Sequence, residues 1–172
     1  MAKLSPRYSI GDRVAHRNYG SGQIDCIENK PINGVQVDCF RVKTDNSVYW
    51  FPTDSKDNPR VHPLATKVLI QRVIEILQSA PHGLENDPIQ WKERIDDVWA
   101  SGDILSISRL IRDLTALKTN KKLIRIQDQA LKNLKDCLLR EWAASLQVDA
   151  KSIQPKLRAY LKISSANFQS AA

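Results

Sequence analysis

The stretch from Tyr8 to Ile24 reads YSIGDRVAHRNYGSGQI, and it constrains the chain more than any other. A Gly11-Asp12 turn, a short strand over Arg13 to His16, a tight turn at Tyr19-Gly20 and a second strand from Gly22 follow one another without spare residues. Glycine adopts the left-handed conformations that hard bends require, so its placement here marks the corners of the chain. Two strands bent this closely belong to a small, strongly curved β-barrel. No catalytic group is needed to account for the segment.

The same strand-like pattern continues to about Leu64. Gln23 to Glu28, Val35 to Lys43 and Val48 to Phe51 are rich in β-branched and aromatic residues, with turn chemistry at Asn33-Gly34 and Asp45-Asn46-Ser47. Arg60-Val61-His62 supplies a closing strand, and Pro52, Pro59 and Pro63 punctuate the way out. Four or five short antiparallel strands in about 60 residues suit an SH3-like or Tudor-like barrel, whereas a sandwich needs about seven.

Beyond Leu64 the apolar spacing becomes helical. Val68, Leu69, Val73, Ile76 and Leu77 line one face of a helix over about 65–79. Asp87-Pro88-Ile89-Gln90 has a capping oxygen, Pro at the first position and Gln three residues past the cap, so a second helix starts there and runs to about Ala100. Ser101-Gly102-Asp103 ends it and caps the next, whose Ile104, Ile107, Ile111, Leu114 and Leu117 recur at three and four. Thr119 to Lys122 reads as a loop, and a long helix over about 123–146 turns Leu131, Leu134, Leu138 and Trp142 inward. Pro155 opens a short further turn, and the Ser, Ala, Asn and Gln after Ile163 bury too little to offset their ordering entropy. The expected class is therefore α+β: a barrel over 1–63, a domain of four to five helices over 64–163 and an unordered tail over 164–172.

The 172 residues carry a formal charge of +7. Residues 1–64 hold 9 Lys and Arg against 7 Asp and Glu; residues 65–172 hold 17 against 12, so the helical half is the more basic and the better suited to an anion. Lys118, Lys121, Lys122 and Arg125 gather at one helix junction. Catalysis is not indicated. His16, His62 and His82 lack metal-ligand spacing, Asp96 and Asp97 are adjacent and point about 100° apart on a helix, and Gly20-Ser21-Gly22 is too short to cradle a nucleotide phosphate. Cys26, Cys39 and Cys137 are odd in number and lack metal-ligand spacing, as in a reduced protein, and Cys26 and Cys39 read as small buried apolar groups on neighbouring strands. Neither a signal peptide nor a membrane-spanning run of about 18 apolar residues is evident. These readings imply no enzyme, cofactor, metal, membrane or small-molecule substrate.

Taken in order, Gly11-Asp12-Arg13-Val14-Ala15-His16, Tyr19-Gly20-Ser21-Gly22, Trp91-Lys92-Glu93-Arg94, Ser101-Gly102-Asp103 and Arg112-Asp113-Leu114 make a colinear set. With them the chain resembles the CarD family of bacterial transcription regulators from about Tyr8 to Leu146, and its barrel half resembles the polymerase-interacting domain of transcription-repair coupling factors. The resemblance implies a cytoplasmic, nucleoid-associated regulator whose barrel docks on the RNA polymerase β subunit. It also implies that the helical half meets promoter DNA, without sequence preference, at the upstream edge of the melted bubble and alters open-complex stability. Lys30 and Trp50 match the polymerase contacts, with Pro31 and the aromatic strand Val48-Tyr49-Trp50-Phe51-Pro52 completing the interface; Trp50 stands where several relatives have Arg. Trp91 matches a DNA-facing tryptophan that wedges against a minor-groove base step, with Lys92 and Arg94 on neighbouring phosphates. The helix after Trp91 is about one turn shorter than in relatives, and Asp96 and Asp97 stand where relatives are basic; Lys118, Lys121, Lys122 and Arg125 offset that charge if they share the face. A protein-only adaptor, with a docking barrel and a helical half that does not touch DNA, is the alternative.

Overall fold

The computed structural model describes residues 7–54, 60–84 and 87–170, with side chains to Asn167; Pro59 lies outside the described residues. The chain forms two compact units that divide between Leu64 and Ala65.

The first unit is one five-stranded antiparallel sheet in the order β4-β3-β2-β1-β5, formed by β1 (Arg13–His16), β2 (Gly20–Ile32), β3 (Val35–Lys43), β4 (Val48–Pro52) and β5 (Val61–Pro63). Asn33 and Gly34 both have positive φ, 50° and 80°, as the tight β2–β3 hairpin requires. The register shifts between Ile24 and Cys26, so β2 bends there. Close by, a Cβ on Gly22 would lie 2.5 Å from the Lys43 carbonyl oxygen, which reserves that corner for glycine. The curvature gathers Tyr8, Val14, Ile24, Phe40, Val42, Tyr49, Phe51 and Val61 into one core, with the Tyr8 ring edge-on to Phe51 at 5.5 Å.

The second unit comprises α1 (Lys67–Gln78), α2 (Pro88–Ser101), α3 (Ile104–Asn120), α4 (Arg125–Leu146) and α5 (Ala150–Ser170) around one apolar core. Asp87 caps α2 by accepting from the Ile89 N–H, Gly102 closes it at φ 64°, and Asp103 caps α3 by accepting from Ser106 N–H. The α3 helix continues through Thr119 and Asn120, so the loop expected at these two residues begins later.

Of the unordered tail expected over 164–172, residues 164–170 are helical, and 171–172 lie outside the described residues. The α5 helix carries Pro155 inside it and runs to Ser170, with Ser164 buried. Hydrogen bonding holds this end where apolar burial does not: Ser164 Oγ donates to the Ser79 carbonyl at 2.7 Å and Asn167 Nδ2 to the Gln78 carbonyl at 2.9 Å. Those are carbonyls at the end of α1, where a helix has no partners of its own to offer.

Candidate functional site

Alternation along β4 separates the expected docking residues. Tyr49 and Phe51 point into the barrel core at 4% exposure each, while Trp50 points outward at 43%; Val48 and Pro52 are half-buried. Tyr49 and Phe51 are thus core residues, and the candidate interface contracts to the outer face of an edge strand. On that face Arg41 pairs with Trp50 and Cys26 with Arg41 across three strands.

Glu28 organises this face. Its Oε2 accepts from Trp50 Nε1 at 3.0 Å and lies 3.0 Å from Lys30 Nζ, while Oε1 accepts from Arg41 Nη1 at 3.4 Å. Lys30 Nζ also sits 4.4 Å from the centroid of the Trp50 ring, a cation over a π-face. Hydrogen bonding from Lys30, helped by Trp50 and the nearby cations, holds the Glu28 carboxyl below its ordinary value, so it stays an acceptor. The indole is fixed while remaining half open to solvent. Pro31, Ile32 and Val35 extend exposed surface to the tip of the hairpin.

Trp91 takes the opposite course. Its ring is 2% exposed in the helical core, and the Arg94 guanidinium lies over it at 4.7 Å. Arg94 Nη2 donates to Asp113 Oδ2 at 2.6 Å and Nη1 to the Gly83 carbonyl at 3.1 Å. Asp113, 1% exposed, also accepts from Arg112 Nε at 2.9 Å and from the His82 backbone N–H at 3.0 Å. Arg112 Nη1 in turn donates to Ser79 Oγ at 2.6 Å. Lys92 Nζ is 2.7 Å from Asp96 Oδ2, and Glu93, Asp96 and Asp97 make the exposed side of α2 acidic. The exposed wedge expected at Trp91 is therefore corrected, because an amphipathic helix turns this large apolar side chain inward; Lys92 and Arg94, expected on phosphates, pair here with protein carboxylates.

Cations converge elsewhere, at the end of α3 and along α4 and α5. Asp128 accepts from Lys118 Nζ at 2.8 Å and lies 2.9 Å from Lys132 Nζ; these two lysines hold its carboxyl down to about 2. Lys135, one further turn along α4, is pushed below its ordinary value by burial and by the charges of Lys118 and Arg158. Lys118 and Lys132 thus hold Asp128, while Lys135 feels the charge of Lys118 and Arg158. Lys122 and Arg125 are exposed at the start of this region and Lys121 is half-buried.

A family model for the CarD C-terminal domain matches residues 72–158, and one for the CarD-like/TRCF RID domain matches residues 8–65. The chain belongs to the CarD family. It is similar to the candidate transcription factor YdeB of Bacillus subtilis (strain 168), with 24% identity over 152 residues that cover 86% of this chain and 97% of that one. CarD-family proteins are transcription factors, and the matched barrel is their RNA polymerase-interacting domain. No helix among the described residues is long and apolar enough to cross a membrane.

In this CarD-family chain the fold brings Lys30 and Trp50 together and leaves Trp91, Lys92 and Arg94 engaged within α2 and its neighbours. Sequence reasoning missed Glu28, Arg41, Lys132, Lys135 and Arg158. A signal for two of them was present: Asp128, Lys132 and Lys135 lie at i, i+4 and i+7 on α4 and so share a face. Glu28 had none, because strand register alone decides what lies across from it.

Proposed function

We propose that this protein bridges RNA polymerase and promoter DNA, docking through the outer face of its barrel on the polymerase β subunit and altering the lifetime of the open complex. The observation that carries this reading is the edge-strand residue Trp50 held by Glu28 and Lys30 of β2, within the segment that matches an RNA polymerase-interacting domain. An edge strand offers unpaired backbone groups for strand addition, and a pre-fixed indole loses little entropy on contact. DNA contact falls to Lys118, Lys132, Lys135 and Arg158, with Lys121, Lys122 and Arg125 nearby, in preference to Trp91. These groups neutralise phosphates and carry no base readout, which fits binding without sequence preference in the nucleoid of the cytoplasm.

The acidic outer side of α2 and the buried Trp91 favour a second reading, the protein-only adaptor. Titration of labelled promoter fragments with the Lys118→Glu/Lys132→Glu double variant separates the two. Bridging requires a several-fold loss of affinity and a salt dependence shallower by about one unit per lost phosphate contact. Unchanged affinity leaves the adaptor.

A further inference from the structure

The barrel carries a second aromatic group on the face opposite to Trp50. Tyr19, in the β1–β2 turn, is 57% exposed, and its ring stacks on that of Tyr49 at 5.4 Å and 23°. His16 lies against both, 4.6 Å from Tyr19 and 5.1 Å from Tyr49. His16 Nδ1 accepts the backbone N–H groups of Asn18 at 3.0 Å and Tyr19 at 3.2 Å, so the imidazole that supports the stack also fixes the turn that presents Tyr19. The Tyr49 hydroxyl is buried and has no hydrogen-bond partner among the described residues.

The surrounding charge decides which ligand such a platform suits. Arg60, Arg17 and His62 act on His16, and the backbone brings them close: Arg17 N–H donates to the Arg60 carbonyl at 3.1 Å, and His62 pairs with Ala15. An aromatic cage for a methylated ammonium group is excluded by the positive charge of the two arginines. A flat, electron-rich ligand attached to an anionic backbone fits it.

We propose that this end of the barrel binds an unpaired nucleobase of single-stranded nucleic acid, stacked on Tyr19, with Arg17 and Arg60 facing the adjoining phosphates. The site does not depend on the helical basic cluster, and because Tyr49 and Trp50 alternate it does not compete with the outer face of β4. Stacking on an aromatic side chain is sequence-tolerant and changes affinity by roughly 5- to 150-fold per base.

The test is fluorescence anisotropy of the full chain with a labelled oligothymidylate and with an abasic oligomer of equal length. The expected result is roughly tenfold weaker oligothymidylate binding by Tyr19→Ala. Tyr19→Phe should bind as the native chain does, and the native chain should bind the abasic oligomer as weakly as Tyr19→Ala binds the intact one. The same Tyr19 dependence should persist in the Lys118→Glu/Lys132→Glu background, so failure of the helical DNA reading leaves this result standing. Equal binding of intact and abasic oligomers, no effect of Tyr19→Ala, or a Tyr19-dependent displacement by oligoglutamate each overturns the proposal; the last points to an acidic protein segment.

Discussion

Two places in this molecule are built from the same parts and differ only in burial. On the barrel, Glu28 gathers Lys30, Arg41 and the Trp50 indole, with a cation 4.4 Å from the ring centroid. In the helical unit, Asp113 gathers Arg94 and Arg112, with Arg94 4.7 Å from the Trp91 ring centroid. The first carboxylate stays partly in water, and its tryptophan is presented. The second is sealed, and its tryptophan becomes structure. An ion pair in water contributes little to stability and leaves its groups available to a partner, whereas a buried one must be complete because each unpaired charge is costly.

The largest effect expected from this contrast is at Asp113. Asp113→Ala leaves Arg112, 5% exposed, without its carboxylate and should destabilise the helical unit by about 3–5 kcal/mol in denaturant unfolding. A loss below about 0.5 kcal/mol, the range of ordinary surface changes, would break the comparison.

At the exposed counterpart, stability and binding should separate. Trp50→Ala should change unfolding free energy by no more than about 0.5 kcal/mol. Retention on the polymerase β subunit in a pull-down should nevertheless fall by about 30-fold, as for an interface anchor worth about 2 kcal/mol. Glu28→Gln should weaken retention less, because the amide still meets the indole N–H while losing the charge that holds Lys30. Full retention by Trp50→Ala would remove this face from the docking account.

The smallest effect concerns pH and lies in the barrel. Burial, then Arg60, Arg17 and His62, lowers the pKa of His16 below its ordinary 6.5, and its Nδ1 must be unprotonated to accept two N–H groups. The unfolded chain therefore binds a proton more readily than the folded one, and stability rises with pH across that interval. The contribution is complete above the unfolded value and is lost as pH falls through the folded one. Thermal melting of the barrel should accordingly decline from about pH 7 to about pH 5, a decline that His16→Gln flattens. Parallel curves for the two proteins would count against the role of His16 in the turn.

Local chemistry explains which elements are legible in the amino-acid sequence. Asp87-Pro88 and Ser101-Gly102-Asp103 act within a few residues of themselves, so the ends of α2 and the start of α3 follow from sequence. Asn33-Gly34 likewise sets its hairpin. By contrast, Ser164 and Asn167 look unable to order a helix until the α1 carbonyls they reach, 85 and 89 residues away in sequence, are in place. Trp91 illustrates the same limit: a tryptophan near a helix start fits either a wedge or a core, and packing against the other helices decides.

Order along the chain, capping, strand alternation and the excess of basic residues in the second half are properties of sequence alone, because each depends on neighbours a few positions apart or on simple addition. Which tryptophan meets solvent, which carboxylate is sealed and which lysines crowd Asp128 are settled only by tertiary structure. Burial and Coulomb energy depend on distance in space, and residues far apart in the chain meet only once the strands have paired and the helices have packed.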